Sequence, residues 1–170
     1  TIFGSTFYNN EGGGNGGGVL FVHEENYFLR VLKSNFTNNS ALSGDGGAFF
    51  IKEYNDYCDI KECQFINNTA TVGRGGAVMI LEKCHHFSLT SSLFVGNSAL
   101  QNSGGAVILL NTIHDIHIEA CIFEYNYAAL NGGAFLLFSG ISDIVLHRND
   151  FISNIAGSSG GAIYMFISIE

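Results

Sequence analysis

The sequence predicts an all-β chain wound as a parallel β-helix, a solenoid of six coils of 28–29 residues with three short strands per coil. Three observations predict it: a motif at a fixed period, apolar residues that alternate in short stretches, and a glycine pair at a constant offset in each repeat. The motif is Phe-x-x-Asn, with its phenylalanines at Phe7, Phe36, Phe65, Phe94, Phe123 and Phe151, spaced 29, 29, 29, 29 and 28. Nine or ten residues after each phenylalanine begins Gly-Gly and a small residue, from Gly17-Gly18-Val19 to Gly160-Gly161-Ala162.

Each element follows from this period. Cys58 and Ile60 alternate with Asp59 and Lys61, and Phe87 and Leu89 with Ser88 and Thr90, which is strand patterning rather than the i, i+3, i+4 spacing of a helix. Strands stacked about 4.8 Å apart place repeats in register and turn each motif position into a column. The phenylalanines then form an aromatic stack inside the coil. Asn10, Asn39, Asn68, Asn97, Asn126 and Asn154 form a ladder whose amides bond to one another and to turn backbone. Ala41, Ala70, Ala99, Ala128 and Ala156 recur two residues later and suit a tight corner. The glycine pairs suit the next corner, where positive φ or a close backbone approach is needed. One domain spans residues 1–170, with no internal boundary.

Composition narrows the function. Charged residues are 13% and apolar residues 46%, which excludes intrinsic disorder; 22 glycines without a proline exclude collagen and polyproline. Apolar runs stop near five residues, where a membrane span needs about 20, so none is expected. The net charge is -8 with no basic patch, so nucleic acid is not an expected partner. No cofactor is expected.

The paired Phe-x-x-Asn and Gly-Gly-Ala motifs resemble the repeats of the chlamydial polymorphic membrane proteins. They also resemble repeats in large protist and bacterial surface proteins of the pectin-lyase-like, right-handed β-helix class. The resemblance covers all six repeats. It implies right-handed winding, in line with the general preference of parallel crossovers, and an extracellular or cell-surface location. That fold carries both adhesins and enzymes. The chlamydial relatives are exported autotransporters with a C-terminal barrel, and no segment here matches a barrel.

Candidate sites divide by chemistry. Three sequons place Asn35, Asn38 and Asn67 as N-glycan acceptors if the chain passes through a eukaryotic secretory route; alternation points all three outward. Cys63 and Cys121 share an inward column with Ser5, Ser34, Ser92 and Asn149 and read as buried thiols replacing serine. Cys58 and Cys84 lie on adjacent coils three positions out of register, so a disulfide forms only if a turn bends them together. His85 and His114 share a column, with Asp56 below and Asp115 beside, but the spacing is that of no metal motif. The outward acids Asp56, Asp59, Asp115, Glu119 and Asp143 are scattered and Arg148 has no convergent partner, so no enzyme is expected. The expected role is a structural module of an extracellular fibre, filament or adhesin, with carbohydrate binding or processing as the alternative.

Two surfaces are expected to self-associate. The chain starts six residues before its first motif phenylalanine and ends at Glu170, nineteen after the last, with no capping element at either end. It reads as a segment or processed part of a longer chain, or as copies that stack head to tail. The second surface is lateral. After the glycine pair, the outward positions Phe21, Phe50, Met79, Ile108, Leu136 and Tyr164 are apolar, as are Leu81, Leu110, Phe138 and Phe166 beside them. Such a stripe exceeds what a soluble monomer usually leaves bare.

Overall fold

The structure, a computed structural model, describes residues 1–14, 16–23 and 27–166, so the expectation tied to Glu170 lies outside the described residues. The regular elements described are all β-strands, arranged as four parallel six-stranded sheets that each take one strand from every coil. In the second coil these strands are Leu29–Leu32, Asn35–Thr37, Ser40–Ala41 and Phe49–Ile51. Each coil thus carries four strands rather than three. The additional one is the two-residue strand of Ser40–Ala41 and its equivalents, too short to show an alternation in the sequence. It also relocates the alanine column. Ala41, Ala70, Ala99 and Ala128 are fully buried in this third sheet instead of forming a corner.

The corners are single residues with positive φ. Between the second and third sheets they are Asn9, Asn38, Asn67, Gly96, Tyr125 and Ser153, at 51–63°. Asparagine and glycine tolerate this conformation best, which explains why a second asparagine so often precedes the ladder asparagine. The glycine pair divides two tasks. Gly46, Gly75, Gly104, Gly132 and Gly160 hold φ of 67–70°. Their successors permit contact between coils: a Cβ on Gly76 would sit 2.0 Å from the Gly105 carbonyl oxygen. Pairing advances 29 residues from Ala99 to Ala128 but 28 from Val107 to Phe135. The missing residue therefore falls in the loop between the third and fourth sheets, where no ladder is disturbed.

The interior is built from columns. The motif phenylalanines stack with ring centroids 4.6–4.9 Å apart and planes within 14°. Phe49 and Phe135 meet that stack edge-on from the fourth sheet, both geometries being favourable for aromatic pairs. Beside it, each ladder Oδ1 accepts from the backbone N–H and the side-chain amide of the preceding asparagine. Asn39 donates both to Asn68 Oδ1, at 3.0 and 2.9 Å. Each Nδ2 also reaches back to a motif phenylalanine, as Asn68 does to the Phe36 carbonyl at 2.9 Å.

A second ladder runs down the serine–cysteine column. Ser5 N–H donates to Ser34 Oγ, Cys63 N–H to Ser92 Oγ and Cys121 N–H to Asn149 Oδ1. The sulfurs of Cys63 and Cys121 receive the N–H groups of Ser34 and Ser92. Sulfur therefore takes the place of a hydroxyl oxygen, as the sequence suggested.

Asn68→Ala removes four buried hydrogen bonds. We expect a loss of about 3 kcal/mol or more in urea unfolding, against about 1 kcal/mol for Asn10→Ala at the half-open first coil. Gly76→Ala should abolish cooperative folding. Gly13→Ala, with nothing within 4 Å of the added methyl, should leave the unfolding midpoint unchanged.

Candidate functional site

The outer faces carry the exposed chemistry, since packed phenylalanine, asparagine and aliphatic columns fill the interior. Outside the fourth sheet, the apolar stripe is not the open face that the sequence implied. Met79 and Ile108 are fully buried, and Phe50, Leu110 and Leu136 are at most 5% exposed. The cause is the loop that links the third sheet to the fourth. It folds over the outer face, so that a Cβ on Gly104 would lie 1.9 Å from Ile108 Cγ1 and one on Gly16 would strike the Phe21 and Phe50 rings. Phe50, Met79, Ile108, Leu110 and Leu136 thus form a second small core within one chain, with Leu81 and Tyr164 half-buried against it. Five of the ten expected interface residues are unavailable to a partner. Phe21, Phe138 and Phe166 remain exposed, and Phe138 stacks on Phe166 at 4.9 Å.

The sequence held a signal for this cover. The first glycine of each pair is followed four residues later by an outward apolar residue, as Gly104 is by Ile108, and only a loop without a side chain there can close on it. Toward the C-terminal coils the cover opens into a groove. Arg74, Asn102, Ser103 and Asn131 line its loop side, with Leu110, Leu136, Phe138 and Tyr164 on the sheet side.

The outer face of the first sheet is polar, and its charges pair locally. Arg30 Nε donates to Asp59 Oδ2 at 3.3 Å. His85 Nδ1 lies 2.9 Å from Asp56 Oδ1, and its ring is parallel to that of His114 at 6.4 Å. Asp115, beside the His85–His114 column, bonds His86 one coil back, whose ring stacks on Tyr57. His114 bonds Ser142 and His117 bonds Glu119. Among the described residues, no group of three or more His, Cys, Asp or Glu side chains is placed to hold a metal. Nor is any helix long and apolar enough to cross a membrane.

Glu119 is held below the usual carboxylate range, first by the hydrogen bond from His117 and then by the charges of His117, His147 and Arg148. Burial pushes the Cys121 thiol up to about 11 and raises Cys63 in the same direction. The sequon asparagines Asn35, Asn38 and Asn67 are exposed, each next to a buried column residue. Asn38 and Asn67 stand on the positive-φ corner, where their amides leave the coil.

The pairing at Glu119 has a pH signature. A carboxylate whose folded-state pKa is depressed adds stability above its unfolded pKa, and that stability is lost as pH falls through the folded value. His117→Gln should move the Glu119 carboxyl titration, followed by NMR, upward toward the ordinary glutamate range.

The chain resembles one known repeat. The Chlamydia polymorphic membrane protein repeat matches residues 33–52 and 150–165. Both stretches contain the motif phenylalanine, the ladder asparagine and the glycine pair: Phe36, Asn39 and Gly46-Gly47 in the first, Phe151, Asn154 and Gly160-Gly161 in the second. No curated protein and no solved structure matches the chain.

Proposed function

We propose that this parallel β-helix repeat protein, which resembles the Chlamydia polymorphic membrane protein repeat, serves as a non-enzymatic structural module of an extracellular or cell-surface fibre or adhesin. The observation that carries the reading is how its outward acids are used. Asp56, Asp59, Asp115 and Glu119 each bond a different basic neighbour. Catalysis on such a face would need them to converge on one substrate atom. The rest of the sequence serves columns that hold the rod together. Incubation with pectin, alginate and chitin should yield neither new reducing ends nor unsaturated products. Turnover that is lost in Asp115→Ala would reverse the assignment.

Lateral association is placed on the aromatic residues that the loops leave open. Phe138 and Phe166, 39% and 51% exposed, stack at the C-terminal edge of the fourth sheet, a position suited to a second copy or another surface protein, and Phe21 lies exposed at the opposite edge. Phe138→Lys with Phe166→Lys should lower the assembly mass seen by light scattering while preserving the β circular-dichroism signal. Ile108→Lys should instead unfold the C-terminal coils, since it places a charge in a dry core. Unchanged assembly in the double variant would remove this edge from consideration. The exposure of Asn35, Asn38 and Asn67 supports glycan attachment; hexosamine found on none of them in native material would exclude it.

The groove beside the C-terminal coils favours carbohydrate binding as the second reading. It sets the amides of Asn102 and Asn131 opposite the rings of Phe138 and Tyr164, a combination of polar groups and apolar walls common to ligand sites. Binding of neutral oligosaccharides that is lost in Tyr164→Ala would support it.

A further inference from the structure

The first sheet contains a bend that the repeat does not require. In a straight strand, residues three apart face opposite sides. Yet Asn55 and Cys58 are both buried in the strand Asn55–Lys61, and Cys84 and Phe87 are both buried in Cys84–Thr90. The two strands pair Asn55 with Cys84, Tyr57 with His86 and Cys58 with Phe87, and Asp56 and His85 drop out of the ladder. Positive φ at Tyr54 and Lys83, one residue before each strand, begins the same turn in both coils. The bend is concave toward the core, so inward side chains on its two arms converge. Cys58 lies on one arm in its coil and Cys84 on the other arm in the next. Both are free thiols in the structure, and Cys84 is the first cause, ahead of burial, that raises the Cys58 thiol well above its usual pKa, although the residues are three register positions apart.

We propose that Cys58 and Cys84 form a redox-active pair that closes to a disulfide between adjacent coils. The oxidant is an external disulfide of the glutathione class. The thiolate of one cysteine attacks it, forming a mixed disulfide and expelling one thiolate. The second cysteine, losing its proton, attacks the protein sulfur and expels the other. Two electrons and two protons leave the protein pair, and one external disulfide becomes two thiols. Cys58 is 2% exposed and Cys84 fully buried, so exchange takes place as the coils close during folding. The other two cysteines are an internal control. Cys63 and Cys121 stand two coils apart in one column, roughly 9–10 Å at the strand spacing, beyond disulfide reach. The inference rests on the bend and is independent of the proposed surface role.

The test is refolding of the reduced full chain in a mixture of oxidised and reduced glutathione, followed by denaturation and maleimide labelling. Two of the four thiols should take label, and the mass before labelling should fall by about 2 Da. Proteolysis should release one reducible pair of peptides, carrying Cys58 and Cys84. The double variant Cys63→Ser with Cys121→Ser should form the same link, and Cys58→Ser should leave its three remaining thiols labelled. Four labelled thiols in refolded parent protein, or a link that includes Cys63 or Cys121, would overturn the assignment.

Discussion

Every coil of this protein depends on hydrogen bonds to the coils on either side, and the buried asparagine ladder is where that dependence is strictest. An unpaired amide in an apolar interior costs more than an apolar residue in its place would. Asn39, Asn68, Asn97 and Asn126 are fully buried, so each is tolerable only while both neighbours hold register. The phenylalanine stack does not enforce this alone, since aromatic rings tolerate sliding. The amides do not. Apolar burial supplies the cohesion, and the ladder fixes which residue meets which.

The same constraint explains where variation is admitted. The phenylalanine and asparagine columns inside the rod keep their residue type, while the corner between the second and third sheets accepts Asn, Gly, Tyr and Ser at nearly one backbone conformation. The loop over the fourth sheet accepts the loss of a residue, because it contributes a lid and little ladder. That lid has a requirement of its own. Its positive-φ glycines lie on the outward apolar column, so the sheet is packed on both faces, a common condition of parallel sheets.

The period, the parallel stacking and the inward columns were legible in the sequence because each is repeated six times and any chance resemblance is averaged away. Features that carry no periodic residue pattern of their own were not. The two-residue strand of Ser40–Ala41 carries no alternation by which to recognise it. The fate of Ile108 and Leu136 turned on a loop whose path no periodicity encodes, so an outward apolar column was read as bare when the chain covers it. Asp115 stands beside His114 in the chain, and the repeat period of 29 residues sets it on His86, a pairing that the shared column of His85 and His114 obscures. The bend in the first sheet was legible only as a condition on Cys58 and Cys84, since it interrupts the pairing that made the rest readable.

The direction of the ladder has a further consequence. Each buried asparagine accepts at Oδ1 from the preceding coil and donates its backbone N–H and one side-chain N–H to the following coil, while its other side-chain N–H returns to a phenylalanine carbonyl. The side-chain dipoles therefore point the same way along the rod. Within this column, one side of any coil offers asparagine Oδ1 and the opposite side asparagine N–H, while the backbone presents donors and acceptors on both sides. Like sides of this ladder cannot pair, so a coil end meeting its own copy head to head leaves those amides unmatched. Any further coil that joins this column, from the same chain or another, has to arrive with the same polarity.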